Sequence, residues 1–231
     1  VNRRRLMASF AASALVPHFA LARTTPTDDF YEQVVAGKRI QFPADHGAHW
    51  LYRTEWWYLT AWLDTTSGPV GMQLTFFRTR TRHNPDNPSR FAPKQVMFGH
   101  AAIASPNQPR LLHQELAARV MPGMMSDTDT ALRMRDARGF WSLMRHENDQ
   151  YQAIVNAEPF SYSMTLKPNR APVLQGENGF SRKGRLDHQA SYYYSRPQCE
   201  LSGEVRIGCD GLGLGGPESF QRGCVNGISD S

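Results

Sequence analysis

The chain has 231 residues, 40% of them hydrophobic and 20% charged, which is long and apolar enough for a sizeable core and excludes an intrinsically disordered chain. Its formal net charge is +5, but Arg3, Arg4 and Arg5 supply three of those charges and leave two for the rest. With no basic patch interleaved with aromatics, this balance argues against a nucleic-acid partner.

Residues 1–22, VNRRRLMASFAASALVPHFALA, have a basic start, an apolar middle and a small-residue end at Ala20-Leu21-Ala22. They read as a secretory signal peptide too short to span a membrane, and Arg3-Arg4 before apolar residues resembles a twin-arginine signal. The reading predicts export to the periplasm of a protein that is soluble or peripheral, with a membrane surface as one partner. Residues 23–37 are a linker, and FYEQVVAGKRI (30–40) can form a short helix or strand.

The motif FPADHGAHW (42–50) leads into RTEWWYLTAWLD (53–64). Here Trp57, Leu59, Ala61 and Leu63 alternate with Trp56, Tyr58, Thr60 and Trp62, so a strand would be apolar on both faces. One face suits a core and the other a cavity. The turn residues of DTTSGP and the apolar run VGMQLTFFRTR complete a β-hairpin over 55–80. RTRHNPDNPSRFAPK (80–94) is a loop, VMFGHAAIA (96–104) a strand, and LLHQELAARVM (111–121) fits a short amphipathic helix. YQAIVNA, FSYSMTLKP, QASYYYSRP and ELSGEVRI follow at short intervals with turn residues between them. Many short strands predict an all-β sandwich or barrel.

Residues 208–231 are glycine-rich, and the alternation stops there. The segment reads either as a flexible tail or as a departure from the natural reading frame, a frameshift or truncation. Cys199, Cys209 and Cys224 form an odd set that fits no zinc spacing; in an exported protein one pair can form a disulfide, with one thiol left over.

For chemistry, Asp45, His49 and Glu55 stand close in sequence. His46 and His49, with His100, are candidate metal ligands by residue type, but the spacing lacks the helical frame of a zinc motif and no metal is assigned. A carboxyl against aromatic rings is desolvated and suits general-acid work; alternatively Glu55 pairs with Arg53 or a loop amide. No nucleophile elbow or dinucleotide loop is present, and no cofactor is assigned. In the run Tyr192-Tyr193-Tyr194, residues 192 and 194 face one way and Tyr193 the other, so the run lines two surfaces. Trp56, Trp57, Tyr58, Trp62, Phe76, His100 and Tyr193 are the candidate walls of an apolar ligand site. Tyr192 and Tyr194 join Asp45, His49 and Glu55 as candidate catalytic residues.

Five ordered motifs, FPADHGAHWLYRTEWWYLTAWL, GMQLTFFRTR, QVMFGHAAI, PVLQGENGFSRKG and ASYYYSRP, resemble those of the AttH-like proteins, a group of predicted secreted hydrolases related to the carotenoid 1,2-hydratases. The resemblance covers residues 38–206. It implies a lipocalin-like (calycin) antiparallel β-barrel over 38–207, the N-terminal part of a two-barrel architecture. It also implies a lipophilic ligand, apolar lipid or isoprenoid, that is hydrated or hydrolysed. In the hydratases the acid is expected on a later strand, in a motif resembling W-L-D-x-E-W; residues 208–231 contain no such motif, and its loss would impair catalysis. The alternative is a non-catalytic lipid carrier accessory to an ABC-type transporter, a partner implied by the family alone. The three tyrosines stand where the hydratases tend to carry His and Trp, which favours the AttH-like side.

Overall fold

A computed structural model describes residues 30–137, 139–186 and 188–208, together with the backbone of 218–220 and 223–229. The proposed signal peptide lies outside the described residues, as do residues 23–29 of the linker.

The described chain is almost entirely extended. Its only helical turn is the 3₁₀ segment Ala44–His46. The strands are β1 (Thr54–Thr65), β2 (Gly68–Arg80), β3 (Gln95–Ala104), β4 (Leu112–Arg119), β5 (Ala131–Asp136), β6 (Gly139–Arg145), β7 (Tyr151–Asn156) and β8 (Phe160–Lys167). They continue through β9 (Val173–Leu174), β10 (Phe180–Arg182), β11 (Ala190–Tyr192), β12 (Tyr194–Ser195), β13 (Glu200–Ile207), β14 (Glu218–Phe220) and β15 (Gly223–Ser229). All pairings are antiparallel. One sheet has the order β15-β1-β2-β3-β4, and the other β14-β13-β8-β7-β6-β5. Two small ladders, β10-β11 and β12-β9, lie beside them. No ladder among the described residues joins the two large sheets into one closed ring.

Period-two patterning builds the core between these sheets. From the first sheet come Trp57, Leu59, Leu63, Leu74, Phe76, Met97 and Ile103; from the second come Trp141, Leu143, Val155, Phe160, Met164 and Leu166, all buried. Gly99 of β3 marks a close approach of the sheets, since a Cβ there would stand 3.0 Å from the Trp141 ring. The hairpin expected over 55–80 is the β1–β2 pair, with Thr65 opposite Gly68 at the turn and Glu55 opposite Arg78 near the open end.

Two local expectations are corrected. LLHQELAARVM is not a helix: residues 112–119 are β4, paired along their length with β3. Leu112, Gln114, Leu116 and Ala118 turn inward while His113, Glu115, Ala117 and Arg119 are exposed, so pairing with β3 overrides the local helical pattern. FYEQVVAGKRI forms neither helix nor strand; it crosses the surface as an irregular strap with a turn at Ala36-Gly37. The glycine-rich segment supplies β14 and β15, which extend both sheets by pairing with β13 and β1. Cys199 is a buried thiol whose Sγ–H faces the Arg196 carbonyl at 3.4 Å; Cys209 and the side chain of Cys224 lie outside the described residues.

Candidate functional site

The loop before β1 carries the site, and three contacts pin it to residues 126–130, which lead into β5. The Ala48 N–H donates to Ser126 O at 2.8 Å, and the Thr130 hydroxyl donates to His46 O at 3.1 Å. Gly47 lies so close to residue 127 that a Cβ would come within 2.3 Å of the Asp127 carbonyl carbon. Any larger residue would push the loop away from this anchor.

A buried ion pair then sets the loop's shape. Glu55 and Arg78, both 0% exposed, meet across β1 and β2. Arg78 Nε donates to Glu55 Oε2 at 2.9 Å, and its Nη2 makes a second, short contact to the same oxygen. The rest of the guanidinium stitches the loop, donating to His49 O at 2.9 Å and to Tyr52 O at 2.7 Å. Such a fork is what a planar guanidinium does and an ammonium cannot.

The other Glu55 oxygen holds His49. Oε1 accepts the His49 backbone N–H at 2.7 Å and lies 2.7 Å from its Nδ1. On the far side of the ring, Nε2 lies 2.9 Å from Asp45 Oδ1. One imidazole therefore bridges two carboxyl groups, and both ring nitrogens can donate together only in the imidazolium form. Burial pushes the Asp45 carboxyl upward, but hydrogen bonds from His49 and from the Gln41 N–H outweigh it and hold the group below the usual range. The order Arg78–Glu55–His49–Asp45 is a hydrogen-bonded line running from the core to a wall.

That wall bounds a cavity of about 440 Å³, within the range of small-molecule sites. It lies outside the space between the two large sheets. The strap supplies Tyr31, Glu32, Lys38 and Ile40; the loop and the start of β1 supply Asp45, His49, Tyr52 and Trp56; the segment from Lys183 to β12 supplies Ser191, Tyr192 and Tyr194. The strap is tied down by side-chain hydroxyls. Tyr192 donates to Val35 O at 2.9 Å and accepts the Val35 N–H at 2.8 Å. Tyr52 donates to Glu32 Oε1 and accepts from Lys38 Nζ, both at 2.9 Å. Burial, followed by the Glu32 carboxylate, raises the Tyr52 hydroxyl far above its ordinary range, so it stays protonated.

Behind Tyr194 is a second buried group. The Tyr194 hydroxyl lies 2.6 Å from His46 Nδ1, and His46 is 1% exposed. Burial, then the Arg145 and Arg196 charges, lowers this imidazole to about 4, so it is neutral and accepts from the phenol. Arg196 is itself buried and held by Asp149, which also accepts from Arg145 Nε at 2.8 Å.

Of the residues singled out from sequence, the structure gathers Asp45, His49, Trp56, Tyr192 and Tyr194 around the cavity, with Glu55 directly behind His49. Trp57 and Phe76 are fully buried core residues. The Tyr58 and Tyr193 hydroxyls bond each other at 2.8 Å, Trp62 is 53% exposed, and His100 sits beside Phe77 on the outer side of the first sheet; none of these four lines the cavity. Sequence reasoning passed over Arg78, Lys38, Tyr52 and Ser191. For Arg78 the signal was present: counting back from the Thr65–Gly68 turn places it opposite Glu55. Glu55's loop amide is that of His49, and its arginine is Arg78 rather than Arg53, which lies over the Tyr31 ring. Among the described residues no group of three or more His, Cys, Asp or Glu could hold a metal ion.

The family model described as AttH-like matches residues 33–216, from the strap through the cavity segments and past β13. The chain belongs to the AttH-like family. A crystal structure from Nitrosomonas europaea, assigned as an AttH, superposes with a TM-score of 0.70 at 36% identity, over 85% of this chain and 57% of that one. This chain thus spans little more than half the length of that relative. Kievitone hydratase from Nectria haematococca superposes with a TM-score of 0.52 at 11% identity, over 87% of this chain and 56% of that one, a likeness of fold alone. No functionally curated protein matches in sequence. The fold is all-β, antiparallel and lipocalin-like, as the resemblance implied, with no closed barrel shown among the described residues.

Proposed function

We propose that this chain is a hydratase-like AttH member that binds an apolar lipid or isoprenoid in the cavity beside His49 and adds water to its C=C bond. The observation that carries this reading is the His49 ring, set between Asp45 and Glu55 at the wall of a cavity lined by Tyr31, Tyr52, Trp56, Tyr192 and Tyr194. The proton shared by Asp45 and His49 passes to one alkene carbon, which forms its C–H bond with the π pair. The cation left on the other carbon is stabilised by ring faces, by roughly 0.5–2 kcal/mol per ring. A water oxygen then bonds that carbon, and the water's surplus proton returns to the Asp45–His49 pair. Residues 1–22 have the pattern of an export signal, which supports placing this activity in the periplasm.

A second reading is a lipid carrier without turnover, delivering its ligand to a transporter. It is favoured by the fixed bonding of Asp45 and Glu55, each held from both sides. Incubation of the full chain with an acyclic isoprenoid alkene in ¹⁸O-labelled water separates the two. The hydratase reading expects a labelled alcohol that is absent with His49→Ala. Bound ligand without labelled product overturns it in favour of the carrier.

A further inference from the structure

The outer face of the first sheet carries an aromatic row that begins at the cavity wall. Trp56 of β1 stands directly opposite Phe77 of β2, and Phe77 directly opposite Phe98 of β3. Directly paired residues of antiparallel strands share a face. The neighbouring row of Trp57, Phe76 and Gly99 is the buried, inward one, so the three rings of the first row point away from the core. With strands about 4.8 Å apart, the row runs for about 10 Å from Trp56 to Phe98.

Two observations set this row apart from scattered surface aromatics. The adjacent outward row, Tyr58, Thr75, His100 and Glu115, carries a polar group at every position, whereas Phe98 is 37% exposed and Phe77 half-buried. Beyond them Phe91, 76% exposed, lies beneath the Arg119 guanidinium at the far side of β3. Trp56 also belongs to both features: it lines the cavity, as does Thr54 two residues before it on the same strand face. The row is therefore a continuation of the cavity wall. Exposed apolar surface in such a position marks a binding surface.

The size of the cavity says what lies on it. At about 440 Å³ it is in the lower part of the range of small-molecule sites, so a long acyclic chain held there by one end has to leave it. A chain that leaves past Trp56 meets Phe77 and then Phe98, and covering those rings removes apolar surface of both partners from water.

We infer that Trp56, Phe77 and Phe98 form a second subsite, which holds the tail of a long acyclic isoprenoid or acyl ligand whose head end occupies the cavity. The inference rests on the reading of the cavity as a lipid site, and it adds selection by chain length to that reading.

Calorimetric titration of the full chain with geraniol and with geranylgeraniol tests it, because the two share a head end and the second has a chain twice as long. Geranylgeraniol is expected to bind about tenfold or more tightly. The double variant Phe77→Thr/Phe98→Thr should erase most of that gain and leave geraniol affinity unchanged; threonine suits a strand, and thermal melts check that the variant is folded. A diazirine at the distal end of the longer chain should, on irradiation, label β2 or β3 near residues 77 and 98. Equal affinity for the two lengths, or label confined to the cavity segments, overturns the subsite and leaves the cavity reading standing. Binding of neither overturns both. A length preference that survives in the double variant overturns the assignment to these rings. A wild-type dimer that the same variant dissociates, with the length preference intact, makes the row an interface between copies instead.

Discussion

Glu55 and Arg78 face each other directly across the first hairpin, in register, with neither side chain exposed. The pair does more than neutralise itself, because the guanidinium also holds the carbonyls of His49 and Tyr52. The catalytic candidate His49 thus owes its position to a core ion pair one strand away.

Arg78→Met should therefore be severely destabilising, by about 3–5 kcal/mol, since it leaves the Glu55 carboxylate buried without its cation. Glu55→Met should cost a similar amount by stranding the guanidinium. The double variant should lose clearly less than the sum of the two, because it strands no charge. Urea unfolding of the four proteins in a double-mutant cycle measures this; strict additivity would show that the two residues do not act as a pair.

Stability should fall between pH 6.5 and about 4 because of His46. Its folded value is about 4 against an ordinary 6.5, so in that window the unfolded chain takes up a proton that the folded one refuses. The stabilisation is fully present above pH 6.5 and is lost as pH falls through the folded value, by up to about 3 kcal/mol. Asp45 and Asp149 are lowered carboxyls whose own contributions fade only below their ordinary 3.8, so they do not confuse the window. Urea midpoints recorded from pH 7 to 4.5 should slope downward in the wild type and flatten in His46→Gln.

Trp56 and Trp57 are adjacent and should behave as opposites. Trp57 is 0% exposed and points into the core, so Trp57→Ala should cost about 3–5 kcal/mol. Trp56 is half-buried against the cavity, so Trp56→Ala should leave the protein folded and weaken binding of an acyclic isoprenoid alkene. Paired thermal melts and titrations check the contrast. A large stability loss in Trp56→Ala would move that residue from ligand wall to core.

The same two residues show what could be read before the structure. Alternation along β1 and β2 gave the hairpin, its two faces and the all-β class, because a period of two needs only local order. It could not say which face meets the core and which a cavity, since Trp56 and Trp57 are chemically alike. Asp45, His49 and Glu55 were legible because all lie within a few residues of one loop. Tyr52 was not: its role is to hold Glu32 and Lys38 of the strap, and those contacts depend on the tertiary fold. LLHQELAARVM misled for a related reason, as its pairing with β3 is decided by tertiary contacts that outweigh local propensity.

The strap over the cavity should open when one hydroxyl is removed. Tyr192 offers its O–H to Val35 O and its oxygen to the Val35 N–H, doing for residue 35 what a neighbouring strand would otherwise do. The strap's other ties include the Arg80 guanidinium to Phe30 O at 2.8 Å, the Glu32 amide to Leu51 O at 3.1 Å and the Glu32–Tyr52–Lys38 contacts. Tyr192→Phe keeps the ring and its edge-on packing against Tyr52, whose centroid is 5.9 Å away, but forfeits both bonds to Val35. Each is worth about 0.5–1.5 kcal/mol, a loss that falls on local opening rather than on global unfolding because the strap is outside both large sheets. Hydrogen exchange should therefore quicken at residues 32–38 in Tyr192→Phe, with exchange in β1, β2 and β8 unchanged. If the ligand enters beneath the strap, association and dissociation of an acyclic isoprenoid alkene should both accelerate in the same variant. Unaltered exchange at Val35 would mean that the strap is held by contacts other than the Tyr192 hydroxyl.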